Sequence, residues 1–361
     1  MQGGDARACL EWMERAIRAA EQVGELAVKV RSMQFRGLSH WELGDQRAGV
    51  ADLEEALRLG RDGGVGFETA MCYSNLAEVV ARRDGPAHGL PILRDGIEFA
   101  ERRGLVFAAM WMRATEPLLL FETGAWDEVL ERGTAILEWD RARGTTQITR
   151  IILSLEVEIY VDRDELNRAA PLAAELLPMA RRTGDVQALM EALPAVARLE
   201  RARGNVAAAR DLIEGAREAS GANPAWRSHR IADCVRTALE CGDLDLAIAL
   251  LSNVDTKVPR AQAAVVSARA ALAEARHELD VAADLYADAV RRWREFGHRV
   301  ELGHALLGLG RCLVSLGKGG DANEALDDSH AIFTAMKANA LVTSVDRARR
   351  QGDATMSPAE S

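Results

Sequence analysis

The residues of this chain that could do chemistry are few, and their spacings send them apart. His298, Glu301 and His304 follow one another at three-residue steps and have the right types for a divalent metal. On a helix each step turns the side chain by about 300°, so the three fan across roughly 120° instead of converging on one ion. Gly317-Lys318 has the look of a phosphate-binding loop. No glycine stands five residues before Gly317, however, and Gly319 occupies the place of the required Ser or Thr. The carboxylate pairs Glu54-Glu55 and Asp327-Asp328 are adjacent in sequence and so diverge on a helix. Neither a Gly-x-Ser-x-Gly elbow nor a Cys-x-x-Cys pair occurs. The expectation is a protein without a catalytic centre, a metal site or a bound cofactor.

Composition narrows the elements that could position a binding surface. Aromatic residues make up only 5% of the 361 residues while Ala, Leu, Arg and Glu abound, a balance that favours helix over sheet. A net charge of −10 without a basic stripe argues against a nucleic-acid surface, which needs concentrated cations to release counterions. The five cysteines are odd in number, and Cys234 and Cys241 stand about 10 Å apart along one predicted helix, too far for a disulfide. They are read as small buried residues in a reducing cytoplasm. Neither a leader pattern nor a run of 18 apolar residues is present, so neither export nor membrane insertion is expected.

The positioning elements themselves are set by a repeat. Turn-like residues recur at close to 40 positions, at Gly44, Asp84, Gly124, Asp164, Gly204, Gly242, His277 and Gly317. A period of that length marks an array of helix pairs that bury their apolar stripes only by stacking on neighbours. Seven residues before the turns stand Gly37, Ala77, Pro117, Val157, Ala197, Val235, Ala270 and Gly310. Five residues after them stand Gly49, Gly89, Val129, Ala169, Ala209, Ala247, Ala282 and Ala322. A third, looser column runs from Ala56 to Ser329 without a charge.

The phase of the repeat sets the expected boundaries. One period before Gly44 lies Gly4, so residues 1–26 read as the second helix of an incomplete unit. Its stripe of Leu10, Met13 and Ile17 is expected to lie uncapped, as an interface to an upstream segment, a neighbouring domain or a second copy. Residues 27–219 are expected to hold repeats one to five, 220–350 repeats six to eight with a closing helix, and 351–361 a disordered tail. The division falls at Ser220 to Pro224, where the spacing shortens from 40 to 38 and then 35. Gly60 to Gly66 reads as a loop between repeats, and Pro117 and Pro194 as bends inside helices.

These columns resemble the tetratricopeptide repeat. The match is carried by Gly37, Gly44 and Ala56 in the first complete unit, Ala282, Tyr286 and Ala289 in the seventh, and Gly310, Gly317 and Ala322 in the eighth. The resemblance covers about residues 4 to 340 and implies an all-α, right-handed α-solenoid of about eight antiparallel helix hairpins plus an N-terminal half-repeat. A period near 40 exceeds the family's usual ~34, so the helices or loops are longer than in the standard unit. Repeats of this longer kind are similar to those in the C-terminal halves of bacterial signalling ATPases, such as maltose-activator and LuxR-type regulators and nucleotide-cyclase/ATPase proteins. Arg292-Trp293-Arg294-Glu295, Gly310 to Leu313 and Ile332 to Met336 are similar to the ending of the cyclase-linked arrays.

The resemblance also implies where a ligand would sit. Carrying the family's groove-facing places over to each turn yields the candidate set Arg31, Trp41, Glu78, Trp111, Glu122, Glu158, Arg198 and Arg236. The early units contribute mainly carboxylates (Glu42, Glu78, Glu122, Glu158, Asp162) and the later ones arginines (Arg198, Arg201, Arg236, Arg311). A groove polarised in this way would orient a charged peptide or a neighbouring domain. Equally, solvated helix faces carry charge for solubility, and Trp41, Trp111 and Phe121 at helical spacing are as readily core as an aromatic floor. The Lys and Asn set that holds C-terminal carboxylates in the chaperone-binding branch is not found at these places. The functional expectation is a non-catalytic, cytoplasmic scaffold that binds a protein, peptide or effector in bacterial signal transduction or transcriptional regulation. The alternative is a detached sensory part of a multidomain ATPase, cyclase or LuxR-type regulator, with that upstream domain as partner.

Overall fold

The structure is a computed structural model that describes residues 5–221 and 224–356, and every regular element among them is an α-helix. Gly4, Ala222, Asn223 and residues 357–361, which belong to the expected first turn, loop and tail, lie outside the described residues. A single helix α1 (Ala6–Val23) precedes eight hairpins. The first four are α2 (Leu26–Leu43) with α3 (Gln46–Asp62), α4 (Phe67–Asp84) with α5 (Pro86–Arg102), α6 (Val106–Thr123) with α7 (Trp126–Arg141), and α8 (Gln147–Asp162) with α9 (Leu166–Thr183). α10 (Val186–Ala202) and α11 (Val206–Ala219) form the fifth. The one-turn α12 (Pro224–Ser228) then leads into α13 (Ile231–Glu240) and α14 (Leu244–Leu250). α15 (Pro259–Ala275) with α16 (Leu279–Phe296) and α17 (Arg299–Ser315) with α18 (Gly319–Ala335) complete the series, and α19 (Asn339–Met356) closes it. The first helix of each hairpin is called its A helix below.

The turns are tighter and more numerous than the 40-residue period implies. Seven of the eight expected turn residues have positive φ; in the second hairpin Asp84 still belongs to α4 and Gly85 takes the turn, with φ 104°. A second series with positive φ, at Gly24, Gly64, Gly104, Gly144 and Gly184, separates one hairpin from the next. The underlying unit is therefore one helix and its left-handed cap, near 20 residues, repeated with little regard to whether the turn lies within or between hairpins. Shorter spacing after Gly204 reflects short helices, since α14 has only seven residues. Gly60 is still helical, so the expected loop shrinks to residues 63–66. α6 and α10 run on through Pro117 and Pro194, and α19 continues to Met356, into the stretch expected to be disordered.

Close approach explains the small-residue columns. A Cβ built on Gly37 would lie 2.8 Å from the carbonyl oxygen of Gly49, and one on Gly49 would lie 2.8 Å from that of Gly37. The backbones of α2 and α3 thus touch at a point where no side chain fits. Trp41 is buried beside this contact and does not reach a surface.

The chain packs as two compact units, residues 1–119 and 120–361. In unit 1, α1 is not uncapped at its centre: Ile17 is buried with Val30, Met33, Ala56 and Cys72, and Leu10 and Met13 are half-buried. α2 supplies the partner that the stripe requires, and the exposed large apolar residues of α1 are Trp12, on which Arg15 stacks, and Val23 at its end.

Unit 2 closes on itself. Arg163 donates from Nε (3.3 Å) and Nη2 (3.2 Å) to the carbonyl oxygen of Met336 in the α18–α19 turn. Asn339 donates in return to the carbonyl of Arg163 at 3.3 Å. Asp127 accepts from both Arg163 and Lys337 at 2.7 Å, and these two cations hold its carboxyl below the usual range. Met336 is buried against Gly124. This closure draws the chain from residue 120 onward into one body, and it encases α8, whose residues Ile148 to Asp162 are all buried. Ile148, Ile151, Leu153, Leu155, Val157, Ile159 and Val161 put apolar groups on every side of that helix, as a surrounded helix requires.

Candidate functional site

The A helices of unit 2 carry a connected set of ion pairs. Arg198 on α10 donates to Glu158 of α8 at 3.3 Å, pairs with Asp162 one turn further on, and lies 3.5 Å from Asp233 of α13. Arg230, which precedes α13, donates to Glu158 at 2.9 Å and to Asp233 at 2.8 Å. Arg236 on α13 holds Glu301 of α17 with two parallel bonds of 2.7 Å. On the same row Arg260 of α15 binds Glu122 of α6 at 2.8 Å, and its Nη1 donates to the carbonyl of His229 at 2.9 Å. Arg311 grips Glu274 at 2.6 and 2.8 Å, and the hydroxyl of Tyr286 donates to the same carboxylate at 2.7 Å.

Opposite charges that the sequence separates by 35 (Arg198 and Asp233) to 138 positions (Arg260 and Glu122) therefore meet within unit 2. The carboxylates of α6 and α8 face the arginines of α10, α13 and α15. Glu122, Glu158 and Asp162 of the expected acidic-to-basic gradient pair with arginines within this one unit, while Glu42 and Glu78 lie in unit 1. Glu122, Glu158, Arg198 and Arg236 all belong to this set, so the structure brings half of the candidate residues together but as one another's partners.

Burial sets the electrostatics. Desolvation raises the carboxyls of Glu158 and Asp162 above their usual range, against the pull of Arg198 and Arg230. Glu301 is held low despite its burial, because Arg236 faces it squarely. His304 is forced well below the usual imidazole value by burial and by Arg236, and burial lowers His298 too. His298 accepts from the backbone N–H of Glu301 at 3.4 Å as the cap of α17, while Glu301 turns to Arg236. Their side chains serve packing and pairing. Cys72, Cys234 and Cys312 are buried thiols pushed up to about 12 by desolvation, whereas Cys9 and Cys241 are part-exposed rather than buried.

Glu156, on the opposite side of α8, is 6% exposed and its carboxyl rises to about 7, chiefly through desolvation. A folded-state value above the unfolded one means that the folded protein binds the extra proton. Stability is then full below about 4.5 and falls as pH rises to about 7. Glu156→Gln should remove that fall and stabilise unit 2 at pH 8 by about 3 kcal/mol. Urea denaturation at pH 5 and pH 8 checks this; an unchanged difference between the two would refute it.

In unit 1 the equivalent face is open. Arg31, Met71 and Trp111, each 40 positions apart, hold equivalent places on the A helices α2, α4 and α6. Arg31 is exposed, and Met71 and Trp111 are half-buried. Trp111 is held in place by its Nε1–H, which donates to Ser74 of α4 at 3.1 Å. One to two turns further on lie Phe35 and Leu38 on α2 and the exposed Glu78, which pairs with Arg82. Trp41 and Phe121 drop out as floor residues because both are core, Phe121 stacked on Trp126 at 5.5 Å. What the sequence reading missed is Phe67 and Phe107, exposed at the start of α4 and α6. Their spacing of 40 marks them as equivalent places in the repeat, but not as exposed ones.

No known family model matches the chain, and no curated protein matches its sequence. Among solved structures, a tetratricopeptide repeat protein from Parabacteroides merdae covers 77% of this chain and 98% of its own, with 13% identity and a TM-score of 0.44. The human IFIT1 dimer with m7Gppp-AAAA covers 89% of this chain and 72% of its own, with 13% identity and a TM-score of 0.44. The APC/C hetero-tetramer Cut9-Hcn1 covers 91% and 74%, with 13% identity and a TM-score of 0.37. Values this low carry nothing about ligand or activity.

Proposed function

We propose that the chain is a non-catalytic interaction scaffold whose docking surface is the A-helix row of unit 1. The observation that supports this reading is the contrast between the units. The face equivalent to the row is filled by ion pairs in unit 2, whereas in unit 1 Arg31, Met71 and Trp111 remain available to solvent. On the resemblance of its repeats, we place the protein in cytoplasmic bacterial signalling, with an ATPase or nucleotide-cyclase domain as the partner class. The ending that resembles cyclase-linked arrays is core here: Trp293 and Phe333 are buried, so likeness in that stretch reflects packing and names no partner.

Chemical crosslinking of the full chain in its native cytoplasm tests the reading. Partners recovered with the unaltered chain should be lost with Arg31→Glu and with Trp111→Ala, provided thermal unfolding shows both variants folded. An identical set of partners with both variants would sink the assignment.

A further inference from the structure

In a stacked array each hairpin needs only its neighbours, so a bond between hairpins far apart in the stack is added to the fold rather than required by it. In unit 2 the bonds of longest sequence separation, 138 to 210 positions, form one seam. On one side stand Glu122 at the end of α6, Asp127 in the first turn of α7 and Arg163 between α8 and α9. On the other stand Arg260 at the start of α15, with Met336 and Lys337 in the α18–α19 turn.

The bonds across the seam are polar. Arg260 binds Glu122 at 2.8 Å, and Asp127 is shared by Arg163 and Lys337 at 2.7 Å, while the apolar contact is Met336 against Gly124. Lys337 and Asp127 are both more than half exposed (63% and 62%), so water and salt compete for the pair they make. Neighbouring helices are joined differently, through buried apolar faces, as α8 is along its whole length.

Lys337 itself is unusual. Its φ is 58°, in the left-handed region, where the two glycine turns before it place Gly297 and Gly317. The other residues besides glycine with positive φ, among the described residues, are Thr145, Asp164, Asn253 and His277. Asn, Asp and His tolerate that region comparatively well, and a lysine has no such advantage. Backbone strain of this kind persists only where the surroundings hold it, and it gathers at switching segments. What lysine supplies here and glycine cannot is the ammonium that meets Asp127.

We propose that this seam is a reversible latch: ion pairing through Lys337 closes unit 2, and competing ions open it. Opening leaves the interfaces between successive hairpins intact and gives the freed charges to water, which hydrates them well. The end of the charged A-helix row at Glu122 and Arg260 then becomes reachable from solvent, so the latch controls whether that row takes part in binding. This device is independent of the docking row in unit 1.

Pulsed electron paramagnetic resonance on the full chain tests the latch. The part-exposed Cys9 and Cys241 are changed to serine, and spin labels are attached through Glu131→Cys on α7 and Thr343→Cys on α19, both exposed positions. Raising the salt from about 50 mM to about 500 mM should increase the share of a second, longer distance about fivefold. Lys337→Gly eases the backbone and removes the ammonium, and should show the longer distance already at low salt. Lys337→Arg keeps the charge and should behave as the unaltered chain does. One unchanged distance at both salt levels and in every variant would overturn the latch. A longer distance whose share ignores both salt and Lys337→Gly would overturn it too, since the movement would not depend on the ion pair. Circular dichroism should show full helix content in Lys337→Gly; a loss of helix would mean that the seam holds the stack itself together, which also contradicts the proposal.

Discussion

Arg198→Met should destabilise unit 2 by about 3–5 kcal/mol, the cost of leaving buried carboxylates without their cation. Arg198 is shared by Glu158, Asp162 and Asp233, so its removal leaves three negative groups with only Arg230 and Arg236 nearby. A methionine fills much of the volume, which separates the loss of charge from the loss of packing. Thermal unfolding should show the drop as a fall of about 10 °C. The pH dependence carries the sharper sign. Without Arg198 the carboxyls of Glu158 and Asp162, already raised by burial, rise further, and their protonated forms fit the folded state best. The deficit of the variant should therefore shrink as pH is lowered from about 7.5 to 5. Arg198→Lys keeps one charge but cannot reach several acceptors at once, and should fall between the two. A loss below ~1 kcal/mol, or one indifferent to pH, would show that the network is not held through Arg198.

The second large effect belongs to the α2–α3 contact. Gly49→Val should cost unit 1 about 3 kcal/mol or more, since even its Cβ would stand 2.8 Å from the carbonyl oxygen of Gly37 and 3.1 Å from the backbone nitrogen of Trp41. Both are main-chain atoms, so relief requires the helices to separate. Gly49→Ala sets two effects against each other: a gain in helix propensity of about 1 kcal/mol and an overpacking cost of about 1–3 kcal/mol. The overpacking should win. Gly320→Ala in α18 is the control, because a Cβ there meets nothing within 4 Å, and the substitution should be neutral or stabilising. Chemical denaturation of the three variants decides the matter; a stabilised Gly49→Ala protein would mean that the helices part easily.

Much of the architecture was legible because it is local. Left-handed caps demand glycine or a tolerant substitute, and touching helices demand small residues, so the turn and small-residue columns report backbone geometry directly. The halved period is present in the sequence too, in Gly24, Gly64, Gly104, Gly144 and Gly184, where one series of turns overlies the other. Trp41 shows where reading by register runs out. Its place in the repeat is that of a groove residue, yet the close approach at Gly49 folds it into the core. Phe67 and Phe107 show the converse: apolar residues at equivalent positions do not reveal from sequence whether a neighbour covers them.

By itself, then, the sequence determined the helices, their pairing and the places where they touch, since these depend on residues within about one period of each other. Tertiary structure decided which faces are closed. Arg163 meets Met336 and Arg260 meets Glu122 across 173 and 138 positions, distances over which no periodicity in the chain carries information. Whether an array curls far enough to bury its own charged row depends on small rotations accumulated over many interfaces. In unit 2 they bring the two halves of the charge gradient together, and in unit 1 they leave a row with an arginine, a thioether and an indole facing solvent.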